Sequence, residues 1–315
     1  MSLTDIDDLV ARIRGRGARS VTLQFPDGLK RRAPAIASAL REAGISVIIS
    51  GDPCYGACDL ALDMLRWTDL LVHFGHTPLS TREDVLYEPF LMDFDPERLA
   101  GALPLIGGKT VGLVTTTQHS GMIPAITGYF EGHGITLLTA EGGPRTAFCG
   151  QVLGCSYVAA RQVAAHEILF VGTGLFHPRG VQLATGKRVV AVDPYTGEAS
   201  VVDGERFLRR RFALIERARE ADTFGILLST KTGQARHDLA ERLATLSDRA
   251  AVVAMREVSP EGLLDLGFSC YVNTACPRLA YDDQVRFPVP VLSPQEFEIL
   301  CGVRSFDEYA IDEMT

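Results

Sequence analysis

The sequence predicts an α/β fold built from three similar domains with parallel sheets, in a pseudo-threefold arrangement around a shared centre. Runs rich in Val, Ile and Leu alternate with helical stretches along all 315 residues, which is typical of parallel sheets. The order strand, helix, strand occurs three times, and this length exceeds what a single core usually serves. We therefore expect three α/β domains, at residues 1–105, 106–218 and 219–315.

The predicted elements follow one pattern in each unit. The first unit has predicted strands at 20–25, 45–50 and 70–74 and helices at 28–43 and 59–67. The second has strands at 109–115, 135–139 and 167–172 and a helix at 123–132. The third follows a basic helix at 205–220 and has strands at 223–229, 250–257 and 269–274 and a helix at 235–246. The third strand of each unit ends near a proline, which cannot donate to a sheet ladder.

Composition excludes several classes of protein. With 46% apolar and 22% charged residues the chain is an ordinary globular protein,. Its net charge of −8 argues against nucleic acid as the direct partner, because a phosphate backbone requires a basic face,. No apolar run reaches the roughly 18 residues of a membrane span, and the first eight residues are acidic where a signal peptide would be basic,. We expect no membrane and a cytoplasmic location.

Three of the seven cysteines stand out by their placement. Cys58, Cys155 and Cys276 lie about a hundred residues apart, one in each unit, in loop-like segments where a parallel strand would end. Ligands this remote can meet only if the three domains point the same loop at one centre. A tetrahedral or cubane metal site built this way is one protein ligand short, which leaves a reactive position on the metal.

The other cysteines give weaker signals. Cys54 and Cys58 form a C-x3-C pair, but Ala61 stands where a standard radical S-adenosylmethionine enzyme has its third cysteine. The offset between Cys270 and Cys276 could suggest a zinc site, yet an extended strand would separate them by roughly 20 Å. We interpret Cys270 and Cys301 as buried small hydrophobes and leave Cys149 open.

Five short runs carry a resemblance to a known family. They are Leu-Gln-Phe-Pro-Asp-Gly-Leu at 23–29, Tyr-Gly-Ala-Cys at 55–58, His-Phe-Gly-His at 73–76, Val-Leu-Gly-Cys at 152–155 and Ala-Cys-Pro-Arg-Leu at 275–279. In these runs, which span nearly the whole chain in the family's order, the sequence resembles the archaeal 2-(3-amino-3-carboxypropyl)histidine synthases, the iron–sulfur transferases of diphthamide biosynthesis. The resemblance implies three domains around a central [4Fe-4S] cluster held by Cys58, Cys155 and Cys276, and a homodimer. Cys54 falls where relatives need not have cysteine.

The resemblance also implies a reaction. S-adenosyl-L-methionine would bind at the iron that has no cysteine ligand, and an electron donor would reduce the cluster. Cleavage of the bond from sulfur to the γ-carbon of methionine would give a 3-amino-3-carboxypropyl radical and methylthioadenosine. The radical would add to an imidazole carbon of one histidine in translation elongation factor 2.

Candidates for the S-adenosylmethionine pocket come from the residues near the predicted strand ends. Arg278 could pair with the methionine carboxylate or form a salt bridge between domains. His76 and His177 could contact substrate or be structural. Gln118, in the polar loop with His119, could help bind an anion or cap a helix.

Two further sets of polar residues have open interpretations. Gln24 and Asp27 could line the cleft or only form a turn. The basic stretch of Arg206, Arg209, Arg210 and Arg211 is interpreted as a solvated helix face, with docking of an acidic partner as the alternative.

Two other functions remain open from the sequence. The same thiolates could hold zinc in a hydrolytic or structural protein, since Zn²⁺ also takes cysteine ligands. The chain could also be a non-catalytic protein that binds a small molecule and has incidental cysteines. Iron and sulfide analysis under anaerobic conditions would separate these possibilities.

Overall fold

Three β-sheets with the same strand order form the fold. The computed structural model describes residues 5–314. If the strands of each unit are numbered in chain order, the order of neighbouring strands in each sheet is second, first, third and fourth. The second sheet has an additional fifth strand at its edge. The predicted fold class is therefore confirmed: this is an α/β protein of three similar, mostly parallel units.

The first sheet has the order β2-β1-β3-β4, all parallel. Its strands are β1 Ser20–Gln24, β2 Ser46–Ile49, β3 Leu70–Phe74 and β4 Val85–Glu88. The second sheet, in the order β6-β5-β7-β8-β9, has β5 Thr110–Thr115, β6 Thr136–Leu138, β7 Glu167–Val171, β8 Arg188–Val192 and the antiparallel β9 Ala199–Val201. The third, in the order β11-β10-β12-β13, has β10 Phe224–Ser229, β11 Ala250–Met255, β12 Cys270–Asn273 and β13 Val291–Leu292.

The helices cover and connect these sheets. They are α1 Ile6–Gly15, α2 Ala33–Glu42, α3 Ile123–Gly132, α4 Val158–Gln162, α5 Phe176–Thr185, α6 Glu205–Ala218, α7 His237–Ala244, α8 Pro260–Leu266, α9 Pro277–Tyr281 and α10 Pro294–Leu300. Shorter 3₁₀ segments lie at Asp27–Arg32, Leu62–Arg66, Pro96–Leu105, Thr117–Met122, Asp283–Arg286 and Phe306–Glu308. Local sequence sets some of the ends: Ser293 and Glu296 form a reciprocal capping box before α10,.

Two predicted helices differ from the observed ones. The segment predicted as a helix at 59–67 has only the 3₁₀ turn Leu62–Arg66, because the backbone of Asp59 and Ala61 hydrogen-bonds to the Gln24 side chain instead. The helix predicted at 28–43 begins as a 3₁₀ segment and becomes α-helical only at Ala33, where a proline occupies a first-turn position that needs no N–H,.

The prediction that α6 presents four arginines to solvent is wrong for Arg211. Arg206, Arg209 and Arg210 are exposed, but the Arg211 side chain is 3% exposed and pairs with the fully buried Glu296. Its guanidinium also donates to the carbonyl oxygens of Ala280 at 2.6 Å and Val291 at 2.9 Å. Arg211 therefore fastens α6 to the third sheet.

The apolar cores show how the units join. The first sheet has its own core, which includes Leu23 and Val72. One cluster extends across the second and third sheets, in which Tyr157 and Phe170 belong with Tyr271 and Tyr281, and each of these two sheets also has a cluster of its own.

The predicted domain boundaries at 105/106 and 218/219 stay a prediction. Within the segment Pro96–Leu105, Leu99 and Ala102 are buried in the core of the second sheet. No helix among residues 5–314 is both long enough and apolar enough to cross a bilayer.

Candidate active site

One cavity of about 300 Å³ brings together the three predicted cluster ligands and four predicted residues of the S-adenosylmethionine pocket. Its lining includes Cys58, Cys155, Cys276, His76, His177, Gln118 and Arg278. They come from all three units, at the carboxyl ends of parallel strands, where open α/β sheets place their ligand sites. A larger cavity of about 580 Å³ near β8 and β9 is lined by no cysteine or histidine.

The three cysteines do not lie in equivalent loops, contrary to the expectation from the sequence. Cys58 and Cys155 follow β2 and β6, the second strands of their units, whereas Cys276 follows β12, a third strand, and caps α9. The equivalents of Cys276 in the other units are His76 after β3 and His177 at the start of α5. The loops nonetheless converge, because all these strand ends face one edge.

The third unit holds the Cys58 loop in place. The backbone N–H of Gly233 donates to the Cys58 carbonyl oxygen at 3.1 Å, and Nε2 of Gln234 donates to Cys58 Sγ at 3.2 Å. Next to it, Lys231 Nζ lies 2.9 Å from a carboxylate oxygen of Asp59. A Cβ at position 233 would lie 2.4 Å from Cys58 Cα, so only glycine allows this approach.

The end of the chain holds the other two cysteine loops. The N–H of Met314 donates to the Cys155 carbonyl oxygen at 2.8 Å. Asp312, which is 1% exposed, pairs with Arg236 at 2.6 Å. The Arg236 guanidinium also donates to the carbonyl oxygen of Thr274 at 2.7 Å, close to Cys276 in the chain. The ion pair of Arg236 and Asp312 therefore links the segments that contact the Cys155 and Cys276 loops.

Without a metal, burial keeps the three thiols protonated, and only nearby cationic or hydrogen-bonding groups favour the thiolates. Burial, together with the neighbouring sulfurs of Cys58 and Cys155, raises the pKa of the Cys276 thiol to about 12. Burial likewise raises the pKa values of Cys58 and Cys155. The nearby guanidinium of Arg145 lowers both of these pKa values, so it would stabilise the thiolates once a metal displaces their protons,.

The spacing of the thiols favours a polynuclear group over a single ion. One zinc ion, with Zn–S bonds of about 2.3 Å, would hold its sulfurs about 3.8 Å apart. Among residues 5–314, the only three Cys, His, Asp or Glu side chains with ligand atoms all within 4.8 Å of one another are Cys54, His73 and His76. At least two of the sulfurs of Cys58, Cys155 and Cys276 are thus more than 4.8 Å apart, which exceeds the spacing around one zinc ion. Three thiols around one cavity fit a [4Fe-4S] cluster with one iron free of cysteine.

Arg278 and Gln118 both line the cavity. The Arg278 side chain is about half exposed, pairs with Asp282 of its own segment at 2.9 Å, and stacks over the Phe176 ring of the second unit. The alternative of a salt bridge between domains is therefore wrong for Arg278, since its contact across the units is with an aromatic ring. Gln118 lies in the 3₁₀ segment Thr117–Met122, which has no side-chain cap at its start.

The two histidines are neutral. Burial lowers the pKa of His177 to about 4, with the Arg278 charge adding to the effect, and its ring is parallel to that of Phe170. Burial also lowers the pKa of His76 to about 4. Nδ1 of His76 lies 3.0 Å from Nε2 of His73. Both rings are therefore available as neutral hydrogen-bonding groups at physiological pH.

The structure resolves the two interpretations of Gln24 and Asp27. Gln24 is 2% exposed and its side chain holds the Cys58 loop by bonds to the backbone of Asp59 and Ala61. Asp27 is exposed and pairs only with Lys30 on the same turn. Neither is among the residues that line the cavity, so of the two interpretations left open the one of a cleft role is wrong for both.

The remaining cysteines lie off the cavity lining. Cys270 is fully buried, as predicted, whereas Cys301 is only half-buried. Cys149 is half-buried, with its Sγ 3.3 Å from Oγ1 of Thr139.

Sequence reasoning missed Arg145, Gln234 and Arg236. Arg145 lines the cavity, and its Nε is buried with no hydrogen-bond partner among the described residues. Its only sequence signal is the loop Gly142-Gly143-Pro144 that precedes it,. Gln234 and Arg236 act on cysteines of other segments, and nothing local in the sequence reveals such contacts.

Comparison with known proteins identifies relatives of the whole chain. A family model described as a diphthamide synthesis protein matches residues 25–310. The chain is 37% identical to the 2-(3-amino-3-carboxypropyl)histidine synthase of Pyrococcus horikoshii, over 98% of this chain and 92% of that protein. It is 30% identical to the 2-(3-amino-3-carboxypropyl)histidine synthase subunit 1 of Aspergillus fumigatus, over 95% of this chain and 71% of that protein.

The fold is similar to a solved structure as well. The crystal structure of Dph2 from Pyrococcus horikoshii with a 4Fe-4S cluster superposes with a TM-score of 0.92 at 35% identity, covering 98% of this chain and 93% of that one. Sequence and fold agree over nearly the full length of both proteins. The chain therefore belongs to the diphthamide synthesis protein family.

Proposed function

We propose that the protein transfers the 3-amino-3-carboxypropyl group of S-adenosyl-L-methionine to a histidine of translation elongation factor 2, as the first step of diphthamide biosynthesis. The observation that carries this proposal is the convergence of Cys58, Cys155 and Cys276 on one cavity, in a chain whose relatives are named for this reaction. A [4Fe-4S] cluster in the related Dph2 crystal structure supports the same metal here.

The three cysteines would hold three irons of the cluster. When bound and reduced, the cluster supplies the electron that cleaves the sulfonium of S-adenosylmethionine. In the overall reaction the aminocarboxypropyl group replaces one hydrogen on the imidazole, and the products are the modified histidine, methylthioadenosine and one proton. The chain's own contribution is to orient the methionine portion and to exclude water.

Two arginines of the cavity are our candidates for binding the methionine carboxylate. Arg278 is the candidate from the sequence, and its exposed guanidinium can turn from Asp282 to a ligand. Arg145 adds a buried Nε that has no hydrogen-bond partner within residues 5–314, and a carboxylate oxygen would satisfy it,. Gln118, His76 and His177 line the same cavity and would offer neutral hydrogen bonds to the amino group, the ribose or the adenine.

The cavity is open enough to require a partner. Tyr55 lines it and is 61% exposed, and an exposed aromatic at a cavity mouth suits contact with a macromolecule. We propose that elongation factor 2 presents its histidine on a surface loop that closes this mouth. A homodimer, an electron donor and a cytoplasmic location belong to the same proposal. The division into domains at 1–105, 106–218 and 219–315 is also proposed.

The test is label transfer under anaerobic, reducing conditions. Carboxyl-labelled S-adenosylmethionine is incubated with the reconstituted protein and elongation factor 2, and a partner with its target histidine replaced serves as the control. We expect label on the wild-type partner only, with no second cluster-bearing subunit required. Equal labelling of both partners, or of many unrelated proteins, would contradict the proposal.

The alternative of a non-catalytic binding protein makes a different prediction in the same assay. It predicts no methylthioadenosine and no labelled partner, although S-adenosylmethionine would still bind. The zinc alternative predicts a colourless protein with zinc in place of iron at Cys58, Cys155 and Cys276, whose sulfurs do not all lie within 4.8 Å of one another.

A further inference from the structure

A second set of metal-ligating side chains lies beside the cysteine cavity. Cys54, His73 and His76 each offer a ligand atom within 4.8 Å of the other two, and His73 Nε2 is 3.0 Å from His76 Nδ1. None of these three is needed to hold the group at Cys58, Cys155 and Cys276. The two sets are distinct, although His76 also lines the cavity.

Hydrogen bonds prepare His73 as a ligand. Gln24 donates through Nε2 to the Asp59 carbonyl oxygen at 2.7 Å and accepts through Oε1 from the Ala61 N–H at 3.2 Å, which fixes the orientation of its amide. Oε1 of Gln24 also lies 2.9 Å from Nδ1 of His73, so that nitrogen must carry the proton and donate it. The lone pair of Nε2 therefore points at His76. A metal-binding histidine usually donates its other ring N–H to a supporting oxygen in this way.

Two of these three side chains are almost fully buried, and the three lie on two different segments of the chain. Cys54 is 3% exposed and His73 is fully buried. Cys54 lies in the loop after β2, four residues before Cys58, whereas His73 is the second-to-last residue of β3 and His76 follows the end of that strand. An ion bound to all three would tie the loop that carries Cys58 to the carboxyl end of the first sheet.

We propose that Cys54, His73 and His76 form a second metal site that binds Zn²⁺, separate from the cluster. One thiolate and two imidazoles form a donor set of the kind that Zn²⁺ takes, and three protein ligands leave its fourth position to water or to a molecule in the cavity. On binding, the Cys54 thiol releases its proton to solvent, and the proton on His76 Nδ1 moves to Nε2 so that Nδ1 becomes the ligand. No electron is transferred.

The first test measures zinc in the protein with its cluster assembled, because empty cluster cysteines would also take zinc. Iron, sulfide and zinc per chain are determined after anaerobic equilibration with buffered Zn²⁺. We expect one zinc per chain in addition to the cluster. Cys54→Ala should lower the zinc affinity about 100-fold or more, since the loss of an outer-shell partner alone costs about 10- to 100-fold. Cys270→Ala is the matched control, because that thiol is equally buried but lies outside the group.

A second measurement keeps the inference testable if the cluster cannot be assembled in a variant. In a background with Cys58, Cys155 and Cys276 all changed to serine, Co²⁺ should give the near-ultraviolet absorption of a thiolate–cobalt bond. That absorption should disappear with Cys54→Ala, weaken with His76→Ala and persist with Cys270→Ala. Circular dichroism confirms that each variant is folded.

Two results would overturn the second site. One is the absence of zinc above the control level in the cluster-loaded protein, together with no cobalt–thiolate absorption. The other is zinc or cobalt binding that Cys54→Ala leaves unchanged. Neither result bears on label transfer to elongation factor 2, so the site and the proposed function fail independently.

Discussion

Replacing Gly233 by alanine should loosen the cluster without removing any ligand. A Cβ at this position would lie 2.4 Å from Cys58 Cα and 2.7 Å from Cys58 Cβ, whereas ordinary contacts begin at 3.4 Å. The two segments must therefore separate by about 1 Å, and metal–ligand distances tolerate only about 0.2 Å. Overpacking of this kind costs about 1–3 kcal/mol. If the release of Cys58 from the metal removes this overpacking, the same free energy corresponds to a loss of iron to a chelator that is about five- to 150-fold faster.

The assay is the rate of iron loss to a chelator after anaerobic reconstitution, with iron and sulfide per chain at the start. Gly51→Ala is the matched control, because Gly51 lies in the Cys58 loop and a Cβ there would meet nothing within 4 Å. Thermal unfolding of both variants separates local from global effects. Iron retention in Gly233→Ala equal to that of Gly51→Ala would refute the claim that the third unit positions Cys58.

The remaining predictions concern the ligands, the substrate cations and the core. Each serine replacement of Cys58, Cys155 or Cys276 should abolish the cluster, since a serine oxygen substitutes poorly for thiolate on iron. The control Cys270→Ser should keep the cluster. Iron analysis measures the difference, and a cluster retained in Cys155→Ser would contradict the site. Arg145→Lys and Arg278→Lys should each raise KM for S-adenosylmethionine about tenfold through loss of bidentate pairing, and unchanged KM values in both would exclude a guanidinium as carboxylate ligand. Arg211→Met should lower the free energy of unfolding by about 3–5 kcal/mol because Glu296 is left buried and charged. The same change at the exposed Arg209 should lower it by less than about 1 kcal/mol. Equal losses for the two variants in denaturant unfolding would refute the structural role of the buried pair.

Periodicity predicted the strands well because their apolar runs are buried by the sheets that they form. β3 Leu70–Phe74 and α3 Ile123–Gly132 begin and end at the predicted residues. The fourth strands β4, β8 and β13 were not predicted, and neither was the antiparallel β9, whose residues Ala199–Val201 are largely exposed and carry no buried pattern. The helix predicted at 59–67 failed because bonds from the distant Gln24 side chain override local propensity.

The site was predictable only in part, because many of its contacts join segments that are remote in the sequence. The cysteines could be chosen from their spacing and from family resemblance, and the cavity unites them. The predicted strands already placed Cys58 after a second strand and Cys276 after a third one, but that these different strand ends face one centre was not visible, because topology, not local sequence, decides it. The supports from Gly233, Arg236 and Met314 are contacts between remote segments, which a single sequence does not encode locally.

The products formed from S-adenosylmethionine alone test the central claim most directly. The reconstituted protein is reduced anaerobically with S-adenosylmethionine and no partner, and the nucleoside products are separated and quantified, with Cys276→Ser as the inactive control. The account predicts methylthioadenosine as the main product, because the methionine portion is oriented so that the bond from sulfur to its γ-carbon breaks. Methionine and 5′-deoxyadenosine as the main products would contradict it and indicate ordinary radical S-adenosylmethionine chemistry.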